Sequence, residues 1–370
     1  MALAVSVYSG RSRKMARARR SYNVAVVGAT GAVGTEMLRV LAERRFPVKG
    51  LRLLASSRSA GRRVPFRGSM HTIEQLTARA FEGVDVALFS AGADRSLEFG
   101  PEAVKRGAVV IDNSSAFRMS EGVPLVIPEV NPHALKGHRG LIANPNCSTI
   151  IMLVPLSPLH QAARITRIIV STYQSVSGAG TKAMAQLYNE TKRAMRRLRV
   201  SKSQLRIEPK LAAGGGSAGP LPKQIAFNVI PQVDVFLENR STKEEIKMVN
   251  ETRKILEEPG LLISSTCVRV PVFRAHSEAV WIETAKPLSV EEARQLLRHA
   301  PGVTLVDEPA KGAYPLPIEA GGQDRILVGR IRKDESVANG LALWVSGDNL
   351  RKGAATNAVQ IAELLFTSPR

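Results

Sequence analysis

Cysteine is almost absent from this chain: 370 residues contain two, Cys147 and Cys267. So few cannot build a disulfide framework, which fits a reducing compartment and leaves any working thiol free. No apolar run approaches the ~18 residues of a membrane span, so no membrane association is expected. No CxxC, HExxH or similar close spacing occurs, and we expect no metal. Acidic residues are missing from positions 1–20, which hold six basic ones, and only Glu208 offsets nine basic residues across 192–223. The net charge of +20 therefore sits largely in a tail and one connecting segment. With no RNP motif, zinc finger or basic zipper beside it, we expect no nucleic-acid partner.

Residues 1–20 are read as a basic, disordered extension. Arg- and Ser-rich and acid-free, they leave a transit peptide open, hence a plastid location as the alternative to the cytoplasm. They lack the apolar stretch of a secretory signal. The fold reading starts at residue 21.

YNVAVV (22–27) reads as a buried strand. Gly28, Gly31 and Gly34 follow in GATGAVG, then the amphipathic stretch TEMLRVLAERR. Strand, glycine-rich turn and helix form the context of a dinucleotide site, where N–H groups at a helix start attract pyrophosphate. The second strand, LRLLA (51–55), ends in Ser56-Ser57-Arg58-Ser59 rather than in an acid. An NAD enzyme usually places Asp or Glu there, while hydroxyls and a guanidinium suit a 2′-phosphate, so NADP is expected. For Arg62 and Arg63 a solvated basic loop stays open as the other reading. Further strands at 84–90, 108–115 and 141–143 alternate with a helix near 95–106, which argues for a mostly parallel sheet. Ligands gather at the C-terminal ends of such strands, where Ser90, Ala91, Gly92, Asn113, Ser114 and Arg118 fall. Arg118 is read as an anion ligand.

In IANPNCSTII, Asn146 is a good N-cap and Cys147 the first helical residue. The helix macrodipole there favours thiolate, so a nucleophile is expected. Ile150, Ile151 and Val154 should be buried, and Pro155 and Pro158 should kink or end the helix. Cys267, inside the alternating STCVRVPV, reads as packing. YQSVSGAG (173–180) should end a strand and open a helix carrying Met184, Leu187, Tyr188, Met195 and Leu198 on one side. Gln174 could line a pocket or sit beside a plain turn. Arg269 and His276 should flank a hairpin-like connection, which makes His276 one candidate general base. The other five histidines read as loop or surface residues.

Taken in order, GATGAVG, ASSRSAGR, IDNSSAFR, NPNCST, YQSVSGAG, IAFNVIPQVD, EEIKMVNETRKIL, RVPVFRAHSEA and DNLRKGAATNAVQIAELL closely resemble the aspartate-semialdehyde dehydrogenase family, in the bacterial branch with the Gram-positive enzymes. The match runs from about 22 to 366. The resemblance implies an α/β protein: a Rossmann-type NADP-binding domain (21–147), joined by a returning C-terminal helix (350–366), and an α+β catalytic and dimerisation domain (148–349) like that of glyceraldehyde-3-phosphate dehydrogenase. It implies NADP(H)-dependent interconversion of L-4-aspartyl phosphate with L-aspartate 4-semialdehyde and phosphate through a cysteine thioester, on the way to lysine, threonine, methionine and diaminopimelate. Cys147 would be the nucleophile, His276 the acid/base, and Gln174 would orient substrate. Arg269 would bind its α-carboxylate, Glu244 its α-amino group, and Arg118 and Lys247 the phosphate, with Asn146 beside them. Cofactor contacts would include Gly28, Thr30, Gly31, Ala32, Val33, Gly34, Ser56, Arg58, Ser59, Ser90, Ala91, Gly92, Ser177, Gly178 and Asn349. Homodimers or homotetramers would follow. The rivals are an N-acetyl-γ-glutamyl-phosphate reductase-like enzyme and a non-enzymatic NADP-binding protein. The segment 196–223 reads as a flexible connection.

Overall fold

The computed structural model describes residues 21–197 and 219–367. The expectations for residues 1–20, for Leu198 and for most of the 196–223 connection lie outside them.

Two sheets organise the chain. The first contains β1 (Tyr22–Val27), β2 (Val48–Ala55), β3 (Arg63–Phe66), β4 (Ser69–Gln75), β5 (Val86–Phe89), β6 (Val109–Asp112) and β7 (Leu141–Ala143), in the order β3-β4-β2-β1-β5-β6-β7. All pairings are parallel except β3 with β4. Its central strands are apolar on both faces, as a parallel sheet covered on both sides requires. Helix α1 (Ala32–Glu43) packs on one side and α2 (Ala93–Lys105) lies between β5 and β6 in the chain. The chain leaves β1 towards β2 on one side and β5 on the other, so a ligand crevice opens at the C-terminal end of β1.

The second sheet runs β11-β12-β13-β10-β8-β9. Its strands are β8 (Ile165–Gln174), β9 (Leu262–Arg269), β10 (His276–Thr284), β11 (Val303–Leu305), β12 (Ile326–Asp334) and β13 (Gly340–Gly347). The helices of this half are α3 (Cys147–Ala163), α4 (Thr181–Arg197), α5 (Lys243–Leu256), α6 (Val290–His299) and the short α7 (Pro317–Ala320). A five-residue π turn, Arg351–Ala355, then leads into α8 (Thr356–Phe366). Ala355, Ala358, Val359 and Ala362 join the core beneath α1, so the C-terminus does return to the first sheet. Tyr22 Oη closes the contact by donating to the Phe366 carbonyl at 2.6 Å.

Of the two outcomes expected at Pro155 and Pro158, the end of α3 does not occur, and the helix continues to Ala163. The helix is apolar all round and buried along nearly its whole length, and that packing outweighs the hydrogen bonds the prolines remove. Arg269 and His276 do not flank a hairpin: β9 pairs in parallel with β8, and β8 pairs with β10, so a strand separates them. His276 is the first residue of β10 rather than part of the connection. On α4, Leu187 is buried, and Tyr188 and Met195 on the same side of the helix are 56% and 58% exposed. The polar Gln186 and Glu190 also take inward positions, Glu190 accepting the Ile225 and Ala226 N–H groups.

Candidate active site

The first sheet ends in a cradle. Gly28 has φ +84°, and a Cβ there would lie 2.4 Å from the Ser90 carbonyl oxygen; a Cβ on Gly34 would lie 2.2 Å from the Gly28 oxygen. Only glycine allows the β1 turn, the β5 turn and α1 to approach this closely. Gly31 caps α1 with no side-chain hydrogen bond, and Thr30 and Gly31 are exposed while Ala32 and Val33 are half-buried. The first-turn N–H groups of α1 thus face outward without a side-chain cap. Ser90 and Ala91 line the next turn, and Gly92 is the N-cap of α2, also without a side-chain hydrogen bond. Ser56 and Arg58 are exposed and Ser59 half-buried, on the single turn after β2.

Asn146 caps α3, its Oδ1 accepting the Ser148 and Thr149 N–H groups at 3.0 and 3.2 Å. Cys147 is therefore the first helical residue, as expected. It opens on a cavity of about 370 Å³, lined also by Val33, Arg118, Gln174, Glu244, Lys247, Arg269, Ser177, Gly178 and Asn349. Thus the first turn of α1 and the cysteine share one space. His276 Nε2 lies 3.4 Å from Cys147 Sγ. On the far side of the ring, Nδ1 accepts the Ser175 N–H at 3.0 Å. A backbone donor there requires an unprotonated Nδ1, so the neutral ring carries its proton on Nε2, facing the sulfur.

Strand register assembles the rest. Gln174 pairs with Arg269 across β8 and β9, and β10 begins at His276 on the other side of β8. Arg269 Nη1 donates to the Ser175 carbonyl at 2.7 Å, while its buried Nε has no protein partner. Gly178 admits this packing: a Cβ there would sit 2.9 Å from Arg269 Nη1. Gln174 Nε2 donates to Ser148 Oγ at 2.7 Å and to Glu244 at 3.2 Å. Asn349 is buried and faces protein, taking the Ala275 N–H at 3.0 Å and giving Nδ2 to Ser177 Oγ at 3.0 Å.

Helix α5 supplies the charged wall. Glu244 accepts Asn146 Nδ2 at 2.8 Å and Lys247 Nζ at 3.2 Å, and Lys247 also donates to Asp234 at 2.7 Å. Burial opposes the Lys247 charge, yet Glu244 and Asp234 hold its ammonium above the usual range. Arg118 donates to the Asn144 and Asn113 carbonyls and to Glu251, each at 3.0 Å. Glu251, which sequence reasoning missed, also accepts the Asn146 N–H at 2.6 Å. Its signal was available: Glu244, Lys247 and Glu251 are spaced as one helical face. Ser175, also missed, carried no comparable signal.

The charge state of the thiol differs from expectation. Burial, followed by the Glu244 carboxylate, pushes Cys147 up to about 12 against Arg269, Arg118 and the Ser148 N–H. The helix start alone does not make a thiolate here, because the desolvation is larger. His276 is likewise pushed well below the usual imidazole range by burial and then by Arg269, so it is neutral at pH 7.

A glycine-cradled helix start facing a cysteine–histidine pair across one cavity defines a class: dinucleotide-dependent oxidoreductases with a thiol at the reaction centre. The comparisons refine it. Residues 23–138 match a family model described as semialdehyde dehydrogenase, NAD binding domain, and residues 156–352 one described as semialdehyde dehydrogenase, dimerisation domain. The aspartate-semialdehyde dehydrogenase of Aquifex aeolicus is 52% identical over 347 residues, covering 93% of this chain and 98% of the relative. That of Bacillus subtilis is 51% identical over 347 residues, covering 94% and 98%. A crystal structure of aspartate semialdehyde dehydrogenase II from Vibrio cholerae, complexed with ASA, is similar at TM-score 0.85 and 46% identity, over 94% of this chain and 98% of that one. The chain belongs to the aspartate-semialdehyde dehydrogenase family.

Proposed function

We propose that the chain reduces L-4-aspartyl phosphate to L-aspartate 4-semialdehyde with release of phosphate, using NADPH. The cavity shared by Val33 and Cys147 carries this reading, because it puts a dinucleotide helix and a nucleophile in one space. Cys147 Sγ attacks the acyl carbon and the phosphate oxygen departs, which leaves a thioester. Bound NADPH supplies the hydride to that carbon. The S–H proton leaves with the departing phosphate; His276 Nε2–H then faces the thiohemiacetal oxyanion and the sulfur, gives its proton to the departing Cys147 sulfur and regains it from solvent. Collapse of that adduct returns the thiol and frees the aldehyde. Covalent capture divides one difficult displacement into two easier steps.

Arg269 is assigned the substrate carboxylate, which would supply the partner its buried Nε lacks. Glu244 is assigned the ammonium, Arg118 and Lys247 the phosphate, and Gln174 and Asn146 the orientation of substrate beside them. The two units are read as 21–147, with the returning helix, for cofactor and 148–349 for catalysis and self-association. Exposed Ile169, Tyr173 and Leu262 support a homodimer or homotetramer built on the second sheet. Among the described residues no helix is long and apolar enough to cross a membrane. The relatives named are bacterial, which favours cytoplasm over plastid.

The glycine cradle and uncapped α1 fit a dinucleotide, and the acid-free Ser56–Ser59 turn favours NADP over NAD. Arg58→Ala should raise KM for NADP by about tenfold or more, the scale of one charge-assisted contact, and spare KM for NAD. Equal use of both cofactors by the unmodified chain would remove the NADP assignment. The activity itself is tested by NADPH formation from L-aspartate 4-semialdehyde, which must depend on added phosphate; absorbance growth without phosphate, or none with it, rejects the reaction.

A further inference from the structure

Behind the cavity, a second charged cluster ties the cofactor helix to both members of the thiol–imidazole pair. Glu36 lies on the inner side of α1 and is 5% exposed. Arg351 Nη1 donates to Glu36 Oε1 at 3.1 Å, and Arg274 Nη2 lies 3.2 Å from the same oxygen. Arg351 is anchored further on Asp324 at 2.8 Å and on Glu43, the last residue of α1, at 2.5 Å. Arg274 is hydrogen-bonded to Asp348 at 2.6 Å, so its tie to α1 is the ion pair with Glu36.

The arginines reach the pair from different sides. Arg274 precedes Ala275, which is held at φ +72°, and then His276. The Ala275 N–H is fixed on Asn349 Oδ1 at 3.0 Å, so this short stretch sets where the imidazole begins. Arg351 opens the π turn, and a Cβ on Gly353 of that turn would lie 3.0 Å from the Cys147 Cβ. A π turn replaces regular helix where a local backbone position must be held. Glu36 is the one carboxylate of α1 that meets both arginines. It touches neither the thiol nor the imidazole.

We propose that Glu36 is a positioning residue: through Arg274 and Arg351 it sets the backbone under His276 and Cys147 relative to the cofactor helix. The proposal rests on the thiol–imidazole reading above. A carboxylate between two arginines couples them, and its loss leaves Arg274 held by Asp348 alone, with no tie to α1, and Arg351 by Asp324 and Glu43. Displacements well under an ångström then suffice to slow the reaction.

Glu36→Gln in the full chain keeps the size and removes the charge. At a temperature where the variant is folded by circular dichroism, kcat should fall about tenfold while KM for NADP(H) changes less than about twofold. Alkylation of Cys147 by iodoacetamide, read by mass spectrometry without substrate, should change severalfold; Cys267 is buried and serves as the internal blank. A merely structural role would lower Tm and leave kcat and alkylation in place. Arg274→Lys keeps a charge beside Asp348 but cannot span both carboxylates, so it should show the same kcat-selective loss. The double variant should be no slower than the worse single one. Unchanged kcat and alkylation in either folded variant overturns the proposal, and Arg274→Lys alone decides if Glu36→Gln does not fold. Absence of semialdehyde-dependent activity in the unmodified chain would instead reject the assigned reaction, while the alkylation rate would still report on Cys147.

Discussion

Two adjacent rows on one face of the second sheet carry polar side chains in different settings. The front row is Gln174, Arg269 and His276; the row behind it is Thr172, Cys267 and Glu278, paired across β8, β9 and β10. Gln174 and Arg269 of the front row line the cavity and His276 stands behind Cys147, and the groups of this row bond to Ser148, Glu244 and Ser175. The rear row meets α5 and the apolar core, where Cys267 Sγ packs 3.7 Å from Met248 Sδ and neither Glu278 oxygen has a protein partner. Burial pushes the thiol of Cys267, like that of Cys147, above its usual range. Titration therefore does not separate a working cysteine from a packing one. Access to a cavity, a donor facing the sulfur and a helix start do.

The sharpest way to break this contrast is to exchange the cysteines' fates. Cys147→Ser should lower kcat on the order of 10⁴- to 10⁶-fold, the scale for losing a nucleophile. Cys267→Ala should keep kcat and cost about 1 kcal/mol of stability, the usual result of a small core deletion. Comparable activity losses in both variants would erase the distinction between the rows.

Within the front row, His276→Asn should lower kcat by roughly 10²–10⁴-fold with KM little changed. Because burial and Arg269 depress the imidazole well below 6.5, its limb in a kcat/KM profile of the free protein should lie on the acid side rather than near neutrality. A limb near pH 7 that vanishes in His276→Asn would show the ring to be more basic than its surroundings imply. Arg269→Lys keeps a charge but loses the planar fork, so KM for the semialdehyde should rise by about tenfold or more with a smaller change in kcat.

How much of this was legible beforehand divides along the same line. Local signals were readable: the strand–glycine–helix unit, Asn146 as a cap, Cys147 at a helix start, the acid-free turn after β2. The alanine spacing of the last helix also announced its return to the first sheet. What depends on strands far apart in sequence was not. Nothing in FRAHSEA says that β8 lies between β9 and β10, so the hairpin reading failed. The Ser175 bond to His276 spans 101 positions and follows from that register. The thiol's charge state was misjudged because a helix start is visible in sequence and desolvation is not. The helix end that Pro155 and Pro158 left open does not occur, because helix-breaking is a local tendency and burial of α3 overrode it.

The smallest effect tests the rear row alone. Glu278 is fully buried, and burial pushes its carboxyl well above the usual range, so the folded chain keeps it protonated. Burial is the whole cause of that shift, and Cys267 on β9 is the titratable group that feels its charge. Neither of its oxygens has a protein partner. The sign follows from proton counting. Above the ordinary carboxylate pKa of 4.5 the unfolded chain has lost this proton and the folded chain holds it. Stability contributed by this group therefore falls as pH rises from there, by about 1.4 kcal/mol per pH unit, until the folded group ionises. Glu278→Gln removes the proton exchange and keeps the shape. Its Tm should exceed that of the unmodified chain by a few degrees at pH 7, and the gap should close as pH approaches 4. Its kcat should change little, because Glu278 lies a row behind the reacting atoms. A Tm gap that is absent, reversed or independent of pH would mean that Glu278 is ionised and partnered, and that the two rows share one electrostatic setting after all.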